Sequence, residues 1–279
     1  MDLTTGFLLL LIGILAGGYG TIVGAGGGFI FVPALLLLFK MEPAIAAGSG
    51  LIIVLINSLS GVVGYAKQEK IQYRTGLTLA IGALPGSFLG VWLLQLYSSS
   101  YFYVIFATLL VGLGIFLFTK NLPDKLKRHQ PSDGYAYIAV SASGGNAGSF
   151  DTEVIKDEKE SQSLKKWLIP LGLVIGILSS YLGIGGGWLL VPILIYVFKV
   201  PTHNAAATSI FSLCLYSTIG VMAQLFYGHV DWPAVIFGGI GVIVGSQIGV
   251  LLSQKIPGKV IIQMLSVLLI FIGVRMYFS

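Results

Sequence analysis

Charge is what this chain lacks most. Of its 279 residues 10% are charged and 56% are hydrophobic, and the mean hydropathy is +0.92. A soluble domain carries about 25% charged residues, so this chain cannot cover a water-facing surface of its own size. The charges are also unevenly spread. Asp2 stands alone in 1–39, none falls in 75–119, and Lys199 and Asp231 are the only two in 167–252. Cysteine is nearly absent. Cys214 sits by itself in an apolar segment, which excludes an intrachain disulfide and argues against a thiolate metal site. There is no H-E-x-x-H, no Cys/His cluster and no pair of mid-membrane acids, so neither enzymatic chemistry nor a resident cofactor is expected. A basic n-region is missing before the first apolar run, which reads as a retained helix and not a signal peptide.

What the chain has instead is charge-free apolar runs of about 20 residues, the length that spans a bilayer. Backbone polarity restricts spanning structures to helices or a closed barrel. Stretches such as 51–56 and 267–272 are apolar on every side and lack the alternation of a barrel strand. The expectation is an all-α polytopic membrane protein. Segments are predicted at about 5–23, 29–39, 44–65, 75–96 and 101–119, and again at 168–182, 188–198, 203–226, 232–252 and 257–277. The net charge of +5 lies in short loops beside these segments, which points to the bilayer as partner and away from nucleic acid. Residues 120–166 differ: a basic start, a Ser/Gly-rich piece at 141–149 and a mixed-charge end read as a solvated linker, with a short strand predicted over 135–140. The predicted organisation is a membrane repeat in 1–119, a cytoplasmic linker in 120–166 and a second membrane repeat in 167–279.

The repeat is the strongest signal. Shifting the chain by 159 positions (183 minus 24) lays Gly24–Pro33 on Gly183–Pro192, with nine identities in the seventeen positions 24–40. Gly82, Gly86 and Gly90 fall on Gly241, Gly245 and Gly249. Loop charges set the topology. Lys67, Lys70 and Arg74, the basic start of the linker, and Lys255 with Lys259 all belong on the cytoplasmic side. The counterpart of the Lys67 loop, 228–232, has no Lys or Arg and fits the outside. Equivalent loops on opposite faces make the halves inverted copies, the architecture in which a transport site lies between halves near the bilayer midplane.

Candidate site residues follow. Gly24, Gly26, Gly27 and Gly28, matched by Gly183, Gly185, Gly186 and Gly187, interrupt apolar stretches and should break helices. A break exposes N–H groups at the positive end of the next helix, and an anion satisfies both. Close helix packing is the plainer use of such glycines. Asn57, Ser58, Thr208, Ser209 and Ser217 supply uncharged donors on the third segment of each half; a single hydroxyl serves more readily as an interhelical bond or bonds its own preceding turn, whereas the Asn57 amide is hard to satisfy within one helix and points to function. Gln224 and Gln247 are weaker candidates of the same kind. Lys40 and Lys199 read as interfacial anchors or an anion funnel.

The paired Gly-x-Gly-Gly-Gly-x-x-x-Val-Pro motifs, followed by Ala46-Ala-Gly-Ser49 and Ala205-Ala-Ala-Thr-Ser209, resemble the TauE/SafE sulfite-exporter family over both membrane halves. The resemblance implies export of sulfite or of organosulfonates such as sulfoacetate from the cell across the inner (plasma) membrane. Gly48-Ser-Gly50 departs from the Ala-Thr-Ser pattern, so the two halves of the site are expected to differ. Another small anion, such as thiosulfate or a carboxylate, and a non-transporting scaffold or sensor working through 120–166 are the competing readings.

Overall fold

A computed structural model describes residues 3–96, 99–120 and 167–278. The linker and the strand predicted over 135–140 lie outside the described residues. Among those described there are ten helices: α1 (Leu3–Val23), α2 (Gly28–Leu37), α3 (Pro43–Lys67), α4 (Tyr73–Leu96), α5 (Ser99–Lys120), α6 (Leu168–Leu182), α7 (Gly187–Tyr196), α8 (Thr202–Tyr227), α9 (Trp232–Ser253) and α10 (Gly258–Tyr277). Both halves belong to one compact unit. Seven helices, all but α2, α6 and α7, are long and apolar enough to cross a bilayer. Their outer faces carry large exposed apolar side chains such as Phe88, Phe226, Leu251 and Phe271, the surface that lipid covers.

The two halves pack by one rule applied twice. On α4, a Cβ at Gly82, Gly86 or Gly90 would collide with the carbonyls of Ile169, Leu173 and Ile177 on α6. On α9, a Cβ at Gly241, Gly245 or Gly249 would collide with the carbonyls of Leu10, Ile14 and Gly18 on α1. Every residue in the second set is the first shifted by 159. Lipid gives no hydrophobic reward for helix association, so the stability of these crossings comes from close backbone approach.

The direction of the symmetry axis is also readable. Gly61 on α3 packs on Ile210 of α8, and Gly220 on α8 packs on Leu51 of α3. These two equivalent helices therefore run antiparallel. A twofold axis that relates antiparallel helices is perpendicular to them, so it lies in the membrane plane, and the halves are inverted repeats.

The glycine breaks reverse the chain. Helices α1, α9 and α3 run parallel, since Leu10 and Gly18 meet Gly241 and Gly249, while Asn57 and Gly64 meet Ser246 and Val250. Helix α2 runs the other way: Gly28 meets Val54 and Gly50 meets Val32. The predicted break is thus the tip of a re-entrant hairpin, closed where Gly20 and Ala16 of α1 touch Gly27. Helices α2 and α7 have ten residues each, about 15 Å at the usual rise, half of the ~30 Å hydrocarbon core. Pro33 and Pro192 lie inside these short helices, beyond the break. The tips, not the prolines, end α1 and α6.

Replacing Gly86 or Gly245 by Leu should lower the thermal unfolding midpoint of detergent-solubilised protein, at a cost of roughly 1–3 kcal/mol or more from forced separation of the helices. Gly112→Ala, where a Cβ would meet nothing within 4 Å, should leave the midpoint unchanged or raise it through better helix propensity.

Candidate substrate site

The two hairpin tips meet each other. Gly24 and Gly183 adopt left-handed backbone, with φ of 81° and 70°, where a side chain costs about 1–2 kcal/mol. A Cβ at Gly24 would lie 2.5 Å from the Ala206 Cα, and one at Gly183 would collide with Ala47, the residue equivalent to Ala206. Gly28 packs on Ile184, and Gly187 on Ala25 and the Gly24 carbonyl. Val54 and Leu213, equivalent to each other, press on both tips: a Cβ at Gly26 would lie 3.0 Å from the Leu213 Cδ1 and 3.1 Å from the Val54 Cγ1. Gly24–Gly28 and Gly183–Gly187 therefore meet in a direct backbone contact flanked by two aliphatic side chains.

The first N–H groups of α2 and α7 have no intrahelical acceptor, and they carry the positive end of each helix dipole. In the second half the Gly186 N–H donates to the Tyr216 hydroxyl at 2.9 Å. In the first half the equivalent of Tyr216 is Asn57. Its Oδ1 accepts from the Thr21 hydroxyl at 3.1 Å, and its Nδ2 has no partner. The tips differ in backbone as well, with φ of 75° at Gly27 and −85° at Gly186.

The predicted hydroxyls separate into those at the tips and those that are not. Ser209 donates to the Gly24 carbonyl at 2.7 Å. Its equivalent is Gly50, which offers the Gly183 carbonyl no donor, so one tip is tied to α8 by a hydroxyl and the other has no such tie to α3. Thr208 accepts from the Gln72 N–H at 3.0 Å and pins the loop between α3 and α4. Ser217 bonds back to the Leu213 carbonyl within its own helix. Ser58 is buried with its hydroxyl unpartnered. Gln247 ties α9 to α3 through Ser60 at 2.8 Å, near the lipid face.

Three residues beside the first tip, Thr21, Ser246 and Tyr65, carry no motif in the sequence. Thr21 donates across to Asn57 and sits 3.1 Å from the Ser246 hydroxyl; Ser246 is within 3.4 Å of the Asn57 carbonyl; Tyr65 donates to the Thr21 carbonyl at 2.8 Å. Their counterparts in the second half are Ser180 for Thr21, Tyr216 for Asn57, Ser87 for Ser246 and Gln224 for Tyr65. A polar residue on a polar residue under the 159 shift was the available signal.

The two ends of the bundle also differ. At the Lys70 end a cavity of about 320 Å³ is lined by Tyr65, Gln68, Lys70, His203, Ser253 and Gln254. At the opposite end the equivalents of Gln254 and Lys70 are Gln95 and His229, and these are hydrogen-bonded at 3.0 Å. Tyr227 stacks on His229, the His229 carbonyl abuts Gly48, and the Asp231 N–H donates to Ser49 at 2.9 Å. One end is open to a polar cavity, and its copy is latched. Lys40 and Lys199, three residues beyond the ends of α2 and α7, both adopt left-handed backbone and are exposed.

Residues 9–276 match the family model described as sulfite exporter TauE/SafE. The chain belongs to the TauE/SafE family. It is a membrane transporter, as its relatives are named. The probable membrane transporter protein YunE of Bacillus subtilis is 29% identical over 98% of this chain and 97% of its own length. A probable membrane transporter protein of Methanocaldococcus jannaschii is 28% identical over 96% and 94%. One of Xylella fastidiosa is 24% identical over 84% and 79%. No solved structure matches the chain. The two TauE/SafE motifs are the two hairpin tips, so the family's most recognisable residues here form one contact.

Ser209→Ala should cost about 1 kcal/mol, the loss of one hydrogen bond to a buried carbonyl. Gly24→Ala should cost more, because strained backbone and the clash with Ala206 add. Ser217→Ala should stay within about 0.5 kcal/mol. Unfolding midpoints of the three variants in one detergent check this order.

Proposed function

We propose that this transporter moves small sulfur oxyanions or organosulfonates, sulfite and sulfoacetate among them, out of the cell by alternating access around the paired hairpin tips. The observation that carries the reading is that two half-helix N-termini meet at the pseudo-twofold axis, where lipid supplies no competing water. Each tip presents N–H groups and the positive end of a dipole to an anion. The surrounding hydroxyls and amides are uncharged, so the anion is held without a buried cation and can leave again. In this reading the Lys67–Arg74 loop and the 120–166 linker face the cytoplasm of a bacterial-type inner membrane, where their positive charge belongs.

The difference between the two ends supports alternating access. The 320 Å³ cavity at Lys70 faces the cytoplasm, and the Gln95–His229 latch closes the outer end. The pseudo-symmetry supplies the other state: Gln254 and Lys70 close on one side while Gln95 and His229 part on the other. For this exchange the two halves need only small relative motion, since the tips lie on the axis about which they interchange.

Flux of radiolabelled or dye-reported sulfite through proteoliposomes tests the reading, with thiosulfate and acetate as competitors. Wild-type protein should carry sulfite in preference to acetate. Gly186→Leu should abolish flux, because its Cβ would lie 2.6 Å from the Tyr216 hydroxyl and collide with Ile175. Preference for a carboxylate would overturn the sulfur assignment, and normal flux with bulky residues at both Gly27 and Gly186 would overturn the role of the tips. Deleting 129–163 should leave flux intact; its loss would favour a linker-driven sensor instead.

A further inference from the structure

The two equivalent polar clusters beside the tips differ in how well they are satisfied. In the first half Thr21, Ser246, Tyr65 and the Asn57 carbonyl groups bond to one another. What remains there is the Asn57 Nδ2 and, one residue along, the Ser58 hydroxyl. In the second half Tyr216 accepts from the Gly186 N–H, but Ser180, Ser87 and both polar atoms of Gln224 have no partner in the protein. All three side chains are fully buried. Unpartnered polar groups in a hydrocarbon-embedded core are costly, and four such atoms in one equivalent set call for something that bonds them.

Their placement brings them together. Tyr216, Gly220 and Gln224 are spaced by four along one face of α8. At Gly220 a Cβ would lie only 2.7 Å from the Ser180 hydroxyl, so that face looks onto Ser180 of α6. Ser87 lies on α4 between Gly86 and Gly90, which pack on Leu173, Ile177 and Tyr181 of the same α6. Its equivalent, Ser246, lies 3.1 Å from the equivalent of Ser180. Gln224 is also smaller than the tyrosine in its counterpart position. The set offers two hydroxyls and an amide, and the Tyr216 hydroxyl, an acceptor from the tip with Ser179 beside it, has a hydrogen that it can direct to Ser179 or to a ligand.

We infer that Ser87, Ser180, Gln224 and Tyr216 form the anion-binding site of the state seen here, and that the first-half cluster, whose hydroxyls bond to one another, is its structural copy. This rests on the proposed transport of a small oxyanion and names the residues that would hold it. A compact anion with several oxygens matches a donor set that is rich in O–H and N–H and contains no cation. Tyr216 couples that anion to the N-terminus of α7 through the Gly186 N–H. The inverted architecture thus keeps two equivalent pockets in sequence and has specialised one.

Binding is tested on the full chain in nanodiscs by calorimetric titration of sulfite, with thiosulfate, sulfate, acetate and phosphate as a panel, alongside unfolding midpoints without ligand. Gln224→Met and Ser180→Ala should each weaken sulfite binding roughly tenfold or more, as expected for hydrogen bonds to a charged ligand. The same variants should unfold at the same or a higher temperature without ligand, because each removes an unpartnered buried group. Gln247→Met, near the lipid face, should leave affinity within about twofold. Wild-type affinity for sulfite in both Gln224→Met and Ser180→Ala would overturn the site while leaving the transport reading standing, and would mean that water fills the cluster. Selective binding of a different panel anion, with the same dependence on Gln224 and Ser180, would support the site and overturn the sulfur assignment. Binding of none of the panel by the wild-type protein would overturn the site.

Discussion

In hydrocarbon an amide or carbonyl without a partner costs several kcal/mol, and helices gain nothing from hiding apolar surface they already share with lipid. What lipid does reward is backbone approaching backbone. Among the described residues that contact recurs where α4 meets α6, where α1 meets α9, where α5 meets α10 and where hairpin tip meets hairpin tip. The glycines at each place matter for the carbon they lack, since a Cβ would strike a carbonyl or a backbone atom of the neighbour. Once the two long crossings are fixed, α3 and α8 are held antiparallel between them, and the re-entrant hairpins have one place to meet.

That meeting explains why the family's motif is doubled. A single re-entrant hairpin would leave its N–H groups and its carbonyls facing lipid-packed side chains. Two hairpins related by an in-plane twofold cover each other: Gly187 lies on the Gly24 carbonyl, Gly28 on Ile184, and Ser209 bonds the Gly24 carbonyl from α8. The remaining helix-opening N–H groups are the unsatisfied part, and in the second half one of them already borrows a hydroxyl from Tyr216. In the proposed reading a transported anion is the partner of that centre; a polar cavity lies at one end of the bundle, and the equivalent residues at the other end are joined by the Gln95–His229 hydrogen bond.

Much of this was legible in the sequence because the packing rule acts on composition. Helix bounds follow from charge-free length, and the 159 shift is visible because both copies of a backbone contact forbid a Cβ at the same positions. The inversion was readable from loop lysines, which report on topology independently of packing. The direction taken after each glycine break was not readable. Gly-x-Gly-Gly-Gly says that a helix ends, whereas the reversal depends on Ala16 and Gly20 touching Gly27, a tertiary contact with no local signature. The aliphatic pair Val54 and Leu213 at the tips was hidden for a similar reason, being two among many apolar residues. Thr21, Ser87, Ser180 and Ser246 give no distinct sequence signal, because a lone hydroxyl in an apolar helix bonds its own preceding turn as readily as a neighbour. Asn57, chosen because its amide is hard to satisfy within one helix, is half-satisfied by Thr21 and keeps an unpartnered Nδ2.

Inversion is the claim on which the rest depends, and one pair of positions tests it most directly. Lys67 and Phe226 are equivalent under the 159 shift, lie at the ends of α3 and α8, and are both exposed. In a Cys214→Ala background, Lys67→Cys and Phe226→Cys are labelled separately with a membrane-impermeant maleimide in intact cells and in inside-out vesicles. Opposite accessibility, with residue 226 labelled from outside and residue 67 from the cytoplasmic side, is the predicted result. Labelling of both from the same side would contradict the inverted repeat, and with it the in-plane axis that brings the two tips together.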